Sequence, residues 1–431
     1  MTLLDRVTIH GFRGVRDVEL TPQRLCALVG ESSSGKSTVL TAIWMLLDAT
    51  APVPNATDVS RGAENGRIRF EAESKGSTFF LDARPPATLN LNREGAPPVI
   101  FLPAARRGGN ELASSASHPR ATKAAALVNG VESADGGAAV IEAVERLVAA
   151  RTRGLVVLIE EPELYLSPQA QRHLYRRLRT LAERGNQVFY STHASSFLSV
   201  AHLDELALVT HRPGPGTALR QPEQLPADES FRALAEFDAE RAEIFLSRAV
   251  LLVEGMTEKL VFPFVFEALG YEPDREAVLI LETGGKANMP LFVRVCNACG
   301  IPYVVVHDRD AERGRSPNES ERVTNQAIAE AAGRARVVQL APDFESVIGL
   351  GSRNRRARKP ERAYRRFSAN RPVPKELSDA VERVVAAARG RATSRGSGTP
   401  TTAPQADVAA TSGARGGARA PRRRAGPRRD R

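Results

Sequence analysis

Apolar and polar positions along the chain fall into two rhythms. Residues 5–12 alternate closely enough for a strand, 25–29 are a short apolar run ending in a glycine loop, and 37–47 carry helical spacing. Residues 67–81 hold two short strand-like runs that suggest a hairpin, and 99–102 read as a buried strand. Residues 106–122 are polar and Gly/Ser-rich, which predicts a loop. A helix over 138–150, an apolar strand over 155–159, an amphipathic helix over 169–184 and a strand over 187–190 follow. Around 212–227 the composition turns to Pro and Gly, the best boundary in the chain. A second series then predicts strands at 249–253, 277–281, 303–306 and 336–340, with helices at 258–269, 286–299 and 318–332 between them. Strands separated by helices imply parallel sheets and an α/β fold class.

Composition narrows the function classes. Aromatics are only 5%, so platforms for stacking single-stranded bases are scarce. No apolar run reaches the ~18 residues of a transmembrane helix, the start lacks a secretory signal, and three cysteines give no disulfide framework. The expectation is a reduced, cytoplasmic protein without a membrane partner. The net charge of +10 is concentrated at one end. Residues 386–431 carry eleven arginines against Asp407 and Asp430, a net +9, which leaves +1 for residues 1–385. That end is poor in large apolar residues and is expected to be a disordered basic tail. Such a tail either binds nucleic acid by counterion release or is simply solvated.

Gly30-Glu31-Ser32-Ser33-Ser34-Gly35-Lys36-Ser37 satisfies the full phosphate-loop pattern between a strand and a helix. Backbone N–H groups around Gly30, Ser34, Gly35 and Thr38, with the helix start, would cradle phosphate oxygens of ATP. Lys36 would neutralise the β- and γ-phosphates and Ser37 would ligate Mg²⁺. The strand at 155–159 ends in Glu160-Glu161-Pro162-Glu163. Glu160 is placed to hold the metal through water and Glu161 to polarise the attacking water. His193, just past the strand at 187–190, is in order to contact the γ-phosphate.

A second acidic set follows. Glu254 ends the strand at 249–253, Glu258 lies one helical turn on, and Asp308 and Asp310 end the strand at 303–306. Strand ends on one side of an open sheet are the usual ligand position, and four hard oxygen donors suit Mg²⁺ or Mn²⁺. Glu282-Thr283-Gly284-Gly285-Lys286 lies between them as a glycine turn opening a helix. Cys296 and Cys299 form a lone CxxC, read as one turn of a buried helix because zinc needs about four ligands.

The phosphate loop, the Glu-Glu-Pro-Glu string, Ser191-Thr192-His193 and the opening Ile9-His10-Gly11-Phe12-Arg13-Gly14 resemble cassette (ABC-type) ATPases of the chromosome-maintenance branch. The acids resemble a Toprim domain, and the two in this order resemble the OLD (overcoming lysogenisation defect) nucleases over roughly residues 1–365. The resemblance implies an ATPase head that dimerises around ATP, with a signature segment in which Ser133 reaches the partner's nucleotide. It implies metal binding by Glu254, Glu258, Asp308 and Asp310, with Glu345 as a later acidic ligand and Lys359 stabilising the scissile phosphate. Glu161, Glu254, Asp308 and Lys359 are the residues it points to for catalysis. The sequence departs from the head pattern in having no Gln between Thr38 and Gly130, with Asp58 as a weak substitute. No tyrosine stands near the acids in sequence as a covalent nucleophile, and Tyr364 is a candidate for folding to bring close.

The resulting expectation is an ATPase domain over 1–225, a linker over 226–245, a Toprim domain over 246–385 and the tail from 386. The function implied is an ATP-regulated, Mg²⁺- or Mn²⁺-dependent DNA endonuclease or nickase. Homodimerisation, an accessory protein and roles in phage defence or DNA repair fit the resemblance. Two alternatives stay open: an ATP-switched DNA-binding or repair-mediator protein without cleavage, and an RNA-directed nuclease.

Overall fold

The computed structural model describes residues 2–104, 112–113, 117–131, 136–198, 200–212, 216–226, 238, 240–310, 318–350, 359–367 and 372–392. Within them the strands are β1 (Arg6–Phe12), β2 (Val15–Leu20), β3 (Leu25–Val29), β4 (Ile68–Ser74), β5 (Ser77–Arg84), β6 (Thr88–Asn92), β7 (Val99–Leu102) and β8 (Val156–Glu160). They continue as β9 (Gln187–Thr192), β10 (Leu206–Arg212), β11 (Gly216–Arg220), β12 (Ala249–Val253), β13 (Val278–Glu282), β14 (Tyr303–Asp308) and β15 (Val337–Leu340). The longer helices are α1 (Lys36–Leu47), α2 (Pro119–Asn129), α3 (Gly136–Ala149), α4 (Pro168–Glu183), α5 (Met256–Ala268), α6 (Met289–Cys299), α7 (Glu319–Ala332), α8 (Lys359–Phe367) and α9 (Lys375–Ala392).

Three sheets organise these elements. An antiparallel sheet runs β2-β1-β4-β5-β6. A second runs β11-β10-β3-β9-β8-β7, parallel except for the β10–β11 hairpin at its edge. The third, β13-β12-β14-β15, is parallel throughout. The mixed α/β class expected from the sequence is therefore found.

Local chemistry explains the elements. β12 (Ala-Val-Leu-Leu-Val) is buried at all five positions, because a parallel strand covered on both faces needs apolar side chains in both directions. Its residues divide accordingly. Val250 and Leu252 face a core shared with Leu25, Val188, Leu178 and Phe292, whereas Ala249, Leu251 and Val253 face Val261, Phe266 and Val381. α4 starts on Ser167, whose hydroxyl accepts from the Ala170 N–H, with Pro168 in its first turn. It buries Leu174, Leu178 and Leu181 on one stripe. The core that takes Val250 and Leu252 is continuous across the second and third sheets, so the ATPase-like and Toprim-like halves share one hydrophobic interior. Arg220 of β11 adds a polar tie, donating to the carbonyls of Asn297 and Ala298 at the end of α6.

Several expectations change. The Pro/Gly stretch at 212–227 contains strand β11, paired antiparallel with β10, so Gly216 belongs to a hairpin on the second sheet. Part of the loop expected over 106–122 is the first turn of α2, started by His118, whose ring accepts from the Arg120 N–H. Most of the expected linker lies outside the described residues, but Arg241–Leu246 form a 3-10 turn that buries Ile244 and Phe245 in the shared core. The expected tail begins too early, since α9 runs to Ala392 with Ala388 buried, and Arg389 pairs with Glu276 at 2.6 Å. The remainder of that tail lies outside the described residues. Cys296 and Cys299 are buried on α6 and form no disulfide, as the helix-turn reading expects. No helix among the described residues is long and apolar enough to cross a membrane.

The shared interior makes a stability prediction. Phe245→Ala is expected to destabilise the fold by ~3–5 kcal/mol, the usual cost of emptying a buried aromatic site. Denaturant unfolding followed by Trp44 fluorescence and by far-UV circular dichroism should shift together as one transition. Two separated transitions in the wild-type chain would contradict a common core.

Candidate functional sites

The first site is built where β3, β8 and β9 end together. The phosphate loop leaves β3 and enters α1. A Cβ on Gly30 would lie 2.0 Å from the Val209 carbonyl oxygen. Gly35 has φ +111, and a Cβ there would lie 2.5 Å from Thr217 Oγ1, so both positions demand glycine. Thr217 of β11 also donates from its hydroxyl to the Ser34 carbonyl at 3.0 Å, clamping the loop from the sheet edge. Ser34 Oγ is buried with no hydrogen-bond partner among the described residues. Lys36 is folded back on its own loop, donating to the carbonyls of Gly30 (2.9 Å) and Glu31 (2.8 Å). Burial lowers its pKa to about 8 against the opposing pull of Glu161, Glu163 and Glu31. Ser37 and Thr38 occupy the first turn of α1, with Ser37 exposed.

Glu160 closes β8, and its Oε2 accepts from the Ala104 N–H at 3.2 Å. Glu161 has φ +42, and its N–H donates to the Ser191 carbonyl at 3.1 Å, which fixes the turn against β9. His193 Nε2 lies 3.7 Å from Glu161 Oε1. Burial and nearby Lys36 lower the His193 pKa. Glu163 is the third acid of the same string. It accepts from the Thr192 hydroxyl (3.0 Å) and the His193 N–H (2.6 Å), so it sets where His193 stands. Asp58 is engaged by the Arg13 guanidinium at 2.9 Å and by the Asn55 N–H at 3.0 Å. Ser133 lies outside the described residues.

The second site forms at the C-terminal ends of β12 and β14. Glu254 follows β12, and its Oε2 is buried with no hydrogen-bond partner among the described residues. Glu258, in the first turn of α5, accepts from the Gly255 N–H at 3.1 Å. Asp308 accepts from the Phe344 N–H at 2.8 Å, which brings the turn Phe344–Val347, and Glu345 on it, to the same end of the sheet. Burial, and then Glu254, Glu258, Asp310 and Glu345, push Asp308 up to about 8. Burial, reinforced by Glu254 and Glu345, pushes Glu258 up to about 7. Burial also raises Glu254, with Lys286 working against it. The distant acids of the sequence therefore meet in one field of mutual repulsion. Asp310 is turned to Lys286, which is paired with it and also with Glu321 at 2.8 Å.

A divalent cation suits this donor set. The donors are hard oxygens, one of them a buried orphan, and their repulsion is what a cation would relieve. Among the described residues no three His, Cys, Asp or Glu side chains are drawn close enough to hold a metal ion, consistent with Asp310 being held by Lys286. The Lys359 backbone opens α8, but its side chain lies outside the described residues. Tyr364 stacks edge-on against Phe264 of α5 at 5.2 Å.

One strand, β12, links the two sites. Arg248, just before β12, makes a bidentate pair with Glu31 of the phosphate loop at 2.6 and 2.8 Å. A cavity of about 60 Å³ between the loop and residues 245–248 borders the same contact. The five residues of β12 then lead to Glu254, ~20 Å from Arg248 along the strand. Sequence reading missed Thr217, Arg248, Lys286 and the role of Glu163. Of these only Lys286 carried a local signal, in its Gly-Gly turn.

With this geometry in place, comparisons with known proteins bear on the class. Residues 245–310 match the family model "Overcoming lysogenization defect protein-like, TOPRIM domain". Residues 140–198 match "AAA ATPase domain", and residues 1–56 match "Protein of unknown function (DUF2813)". The chain therefore carries an OLD-like Toprim segment behind an ATPase segment, a pairing that implies nucleotide and divalent-cation use in general. It is similar to an OLD nuclease of Thermus scotoductus, 35% identical over 214 residues, covering 45% of this chain and 40% of that protein. It is also similar to the Old nuclease of Escherichia phage P2, 33% identical over 162 residues, covering 36% of this chain and 28% of that protein. The matches thus span less than half the length of either relative. Among solved structures, an SMC head domain from Thermotoga maritima matches 52% of this chain and 100% of that chain, at 14% identity and TM-score 0.35.

The clamp on the loop is testable. Gly35→Ala is expected to weaken ATP binding at least tenfold, ~1.4 kcal/mol, because the new methyl meets Thr217 at a φ that disfavours it. Titration with a fluorescent ATP analogue measures this, and Gly390→Ala, whose methyl would meet nothing within 4 Å at an ordinary helical φ, should leave affinity unchanged.

Proposed function

We propose that the protein is an ATP-regulated, divalent-cation-dependent nuclease of the OLD type that acts on DNA. The observation that carries the reading is the meeting of Glu254, Glu258, Asp308 and Glu345 at one end of the Toprim-like sheet, where burial first and neighbouring carboxylates second push Glu254, Glu258 and Asp308 upward. Glu254, Glu258, Asp308, Asp310 and Glu345 would hold Mg²⁺ or Mn²⁺. The cation would supply an activated water and a stabilised leaving oxygen for phosphodiester hydrolysis. Asp308 is fixed for this by the Phe344 N–H, and Glu258 by the Gly255 N–H, so the strand ends and the helix start orient the donors. Lys359 is assigned to the scissile phosphate.

In the ATPase-like half, Gly30, Ser34, Gly35 and Thr38 would cradle the phosphates, and Lys36 would leave its carbonyl partners for them. Ser37 and Glu160 would hold the accompanying Mg²⁺, Glu161 would orient the attacking water, and His193 would face the γ-phosphate from its seat on Glu163. Ser133 is assigned to the nucleotide of a second copy, which makes a homodimer part of the proposal. Tyr364 is packed on Phe264, which favours hydrolysis over a covalent tyrosyl intermediate.

The test is plasmid cleavage in Mg²⁺ or Mn²⁺, with and without ATP. Glu254→Ala and Asp308→Ala are expected to lower cleavage by at least ~100-fold, the scale of losing a positioned catalytic group. Lys36→Ala should abolish ATP binding and the response to ATP while leaving the acids intact. Equal cleavage by wild type and both acid variants would overturn the assignment. ATP-dependent DNA binding with no cleavage in any divalent metal would favour a non-cleaving switch.

A further inference from the structure

Lys286 is 6% exposed and carries two carboxylate partners drawn from different elements. Asp310 comes from the end of β14. Its backbone has φ +54, and its N–H donates to the Pro342 carbonyl at 3.0 Å, so the carboxylate moves only by side-chain rotation. Glu321 comes from the first turn of α7, where Asn318 accepts from the Glu321 N–H at 2.9 Å and fixes the turn. Lys286 itself follows two glycines with φ +70 and +122, which carry the chain from β13 across to the acids. Its charge also opposes that of Glu254.

A buried ammonium cannot be left without a carboxylate, because an unpaired interior charge is strongly destabilising. Asp310 is one of the acids assigned above to the cation, yet here it is spent on Lys286. The second partner resolves the conflict. With Glu321 in place, Asp310 can turn to a cation and Lys286 remains paired. We propose that Lys286 is a resident counter-ion that competes with the divalent cation for Asp310, and that Glu321 is the anchor that holds Lys286 when Asp310 is released. Both are positioning residues. The inference rests on the reading of the acids as a cation site.

Two opposite effects follow. Removing Lys286 deletes the competitor and one positive charge, so the cation binds more tightly. Removing the Glu321 charge leaves Lys286 dependent on Asp310, so the cation binds more weakly.

The experiment is Mn²⁺ binding to the full chain without nucleotide or DNA, by calorimetry and by electron paramagnetic resonance of free Mn²⁺. Glu254→Ala serves as the reference that reports binding at this site. Lys286→Met is expected to tighten the Glu254-dependent binding about tenfold and Glu321→Gln to weaken it about tenfold, each ~1.4 kcal/mol. Circular dichroism checks that the variants fold. If Lys286→Met does not fold, Glu321→Gln alone decides, and unchanged or tighter binding overturns the proposal. Wild-type affinity in both variants, or weaker binding in Lys286→Met, also overturns it while leaving the cation site standing. Absence of any Glu254-dependent Mn²⁺ binding in the wild type overturns the cation site itself and this inference with it.

Discussion

A parallel strand covered on both faces has nowhere to place a charge except at its ends, and this constraint arranges the molecule. β3, β8, β9, β12 and β14 are almost wholly buried along their length. Burying an unpaired charge within those runs would cost more than the strand gains from apolar contact. The polar residues therefore collect past the C-terminal ends: the phosphate loop after β3, Glu160 and Glu161 at β8, His193 after β9, Glu254 after β12, Asp308 and Asp310 at β14. Two clusters result because there are two such sheets.

Each cluster contains a lysine that answers the charge problem from within the chain. Lys36 and Lys286 are 4% and 6% exposed. Lys36 donates to two loop carbonyls, and Lys286 pairs with two carboxylates. In both places the lysine stands among acceptors that an incoming ligand would either replace or claim. Phosphate oxygens would take over from the carbonyls on Lys36, whereas a cation would take Asp310 away from Lys286. The same residue type thus meets ligands of opposite sign by opposite exchanges.

The elements carrying these ends were legible because burial on both faces writes itself as an uninterrupted apolar run, followed at once by glycine or acid. Val-Glu-Gly at 253–255 and His-Asp-Arg-Asp at 307–310 are of that kind, and the structure brings them to one place. What was not legible depends on contacts between distant segments. β11 was hidden by flanking proline and glycine, and its Thr217 clamp on Ser34 joins residues 183 apart. Arg248 and Glu31 are 217 apart and each reads alone as an ordinary surface charge. The role of Glu163 also escaped sequence, because a third acid in a string says nothing about which N–H it will meet. The helical end of the supposed tail was obscured by arginine-rich composition, although Val384, Val385 and Ala388 keep an apolar stripe.

The distance between the clusters sets what nucleotide can do to the acids. Arg248 and Glu254 bracket β12, so the direct covalent route from the phosphate-loop contact to the second cluster is ~20 Å of strand hydrogen-bonded on both sides. Such a strand does not stretch, and at this distance direct Coulomb effects between the sites are small beside those within either cluster. A nucleotide that moves Glu31 would therefore displace Arg248 and the third sheet as a unit, and with it Gly255, Glu258 and the turn held by Asp308. The shared core bears on the same point, since Phe245 and Ile244 pack between the two sheets beside the Arg248 contact. Under the proposed function, regulation would be a change in how one sheet sits on the other. It does not require the acids to rearrange among themselves.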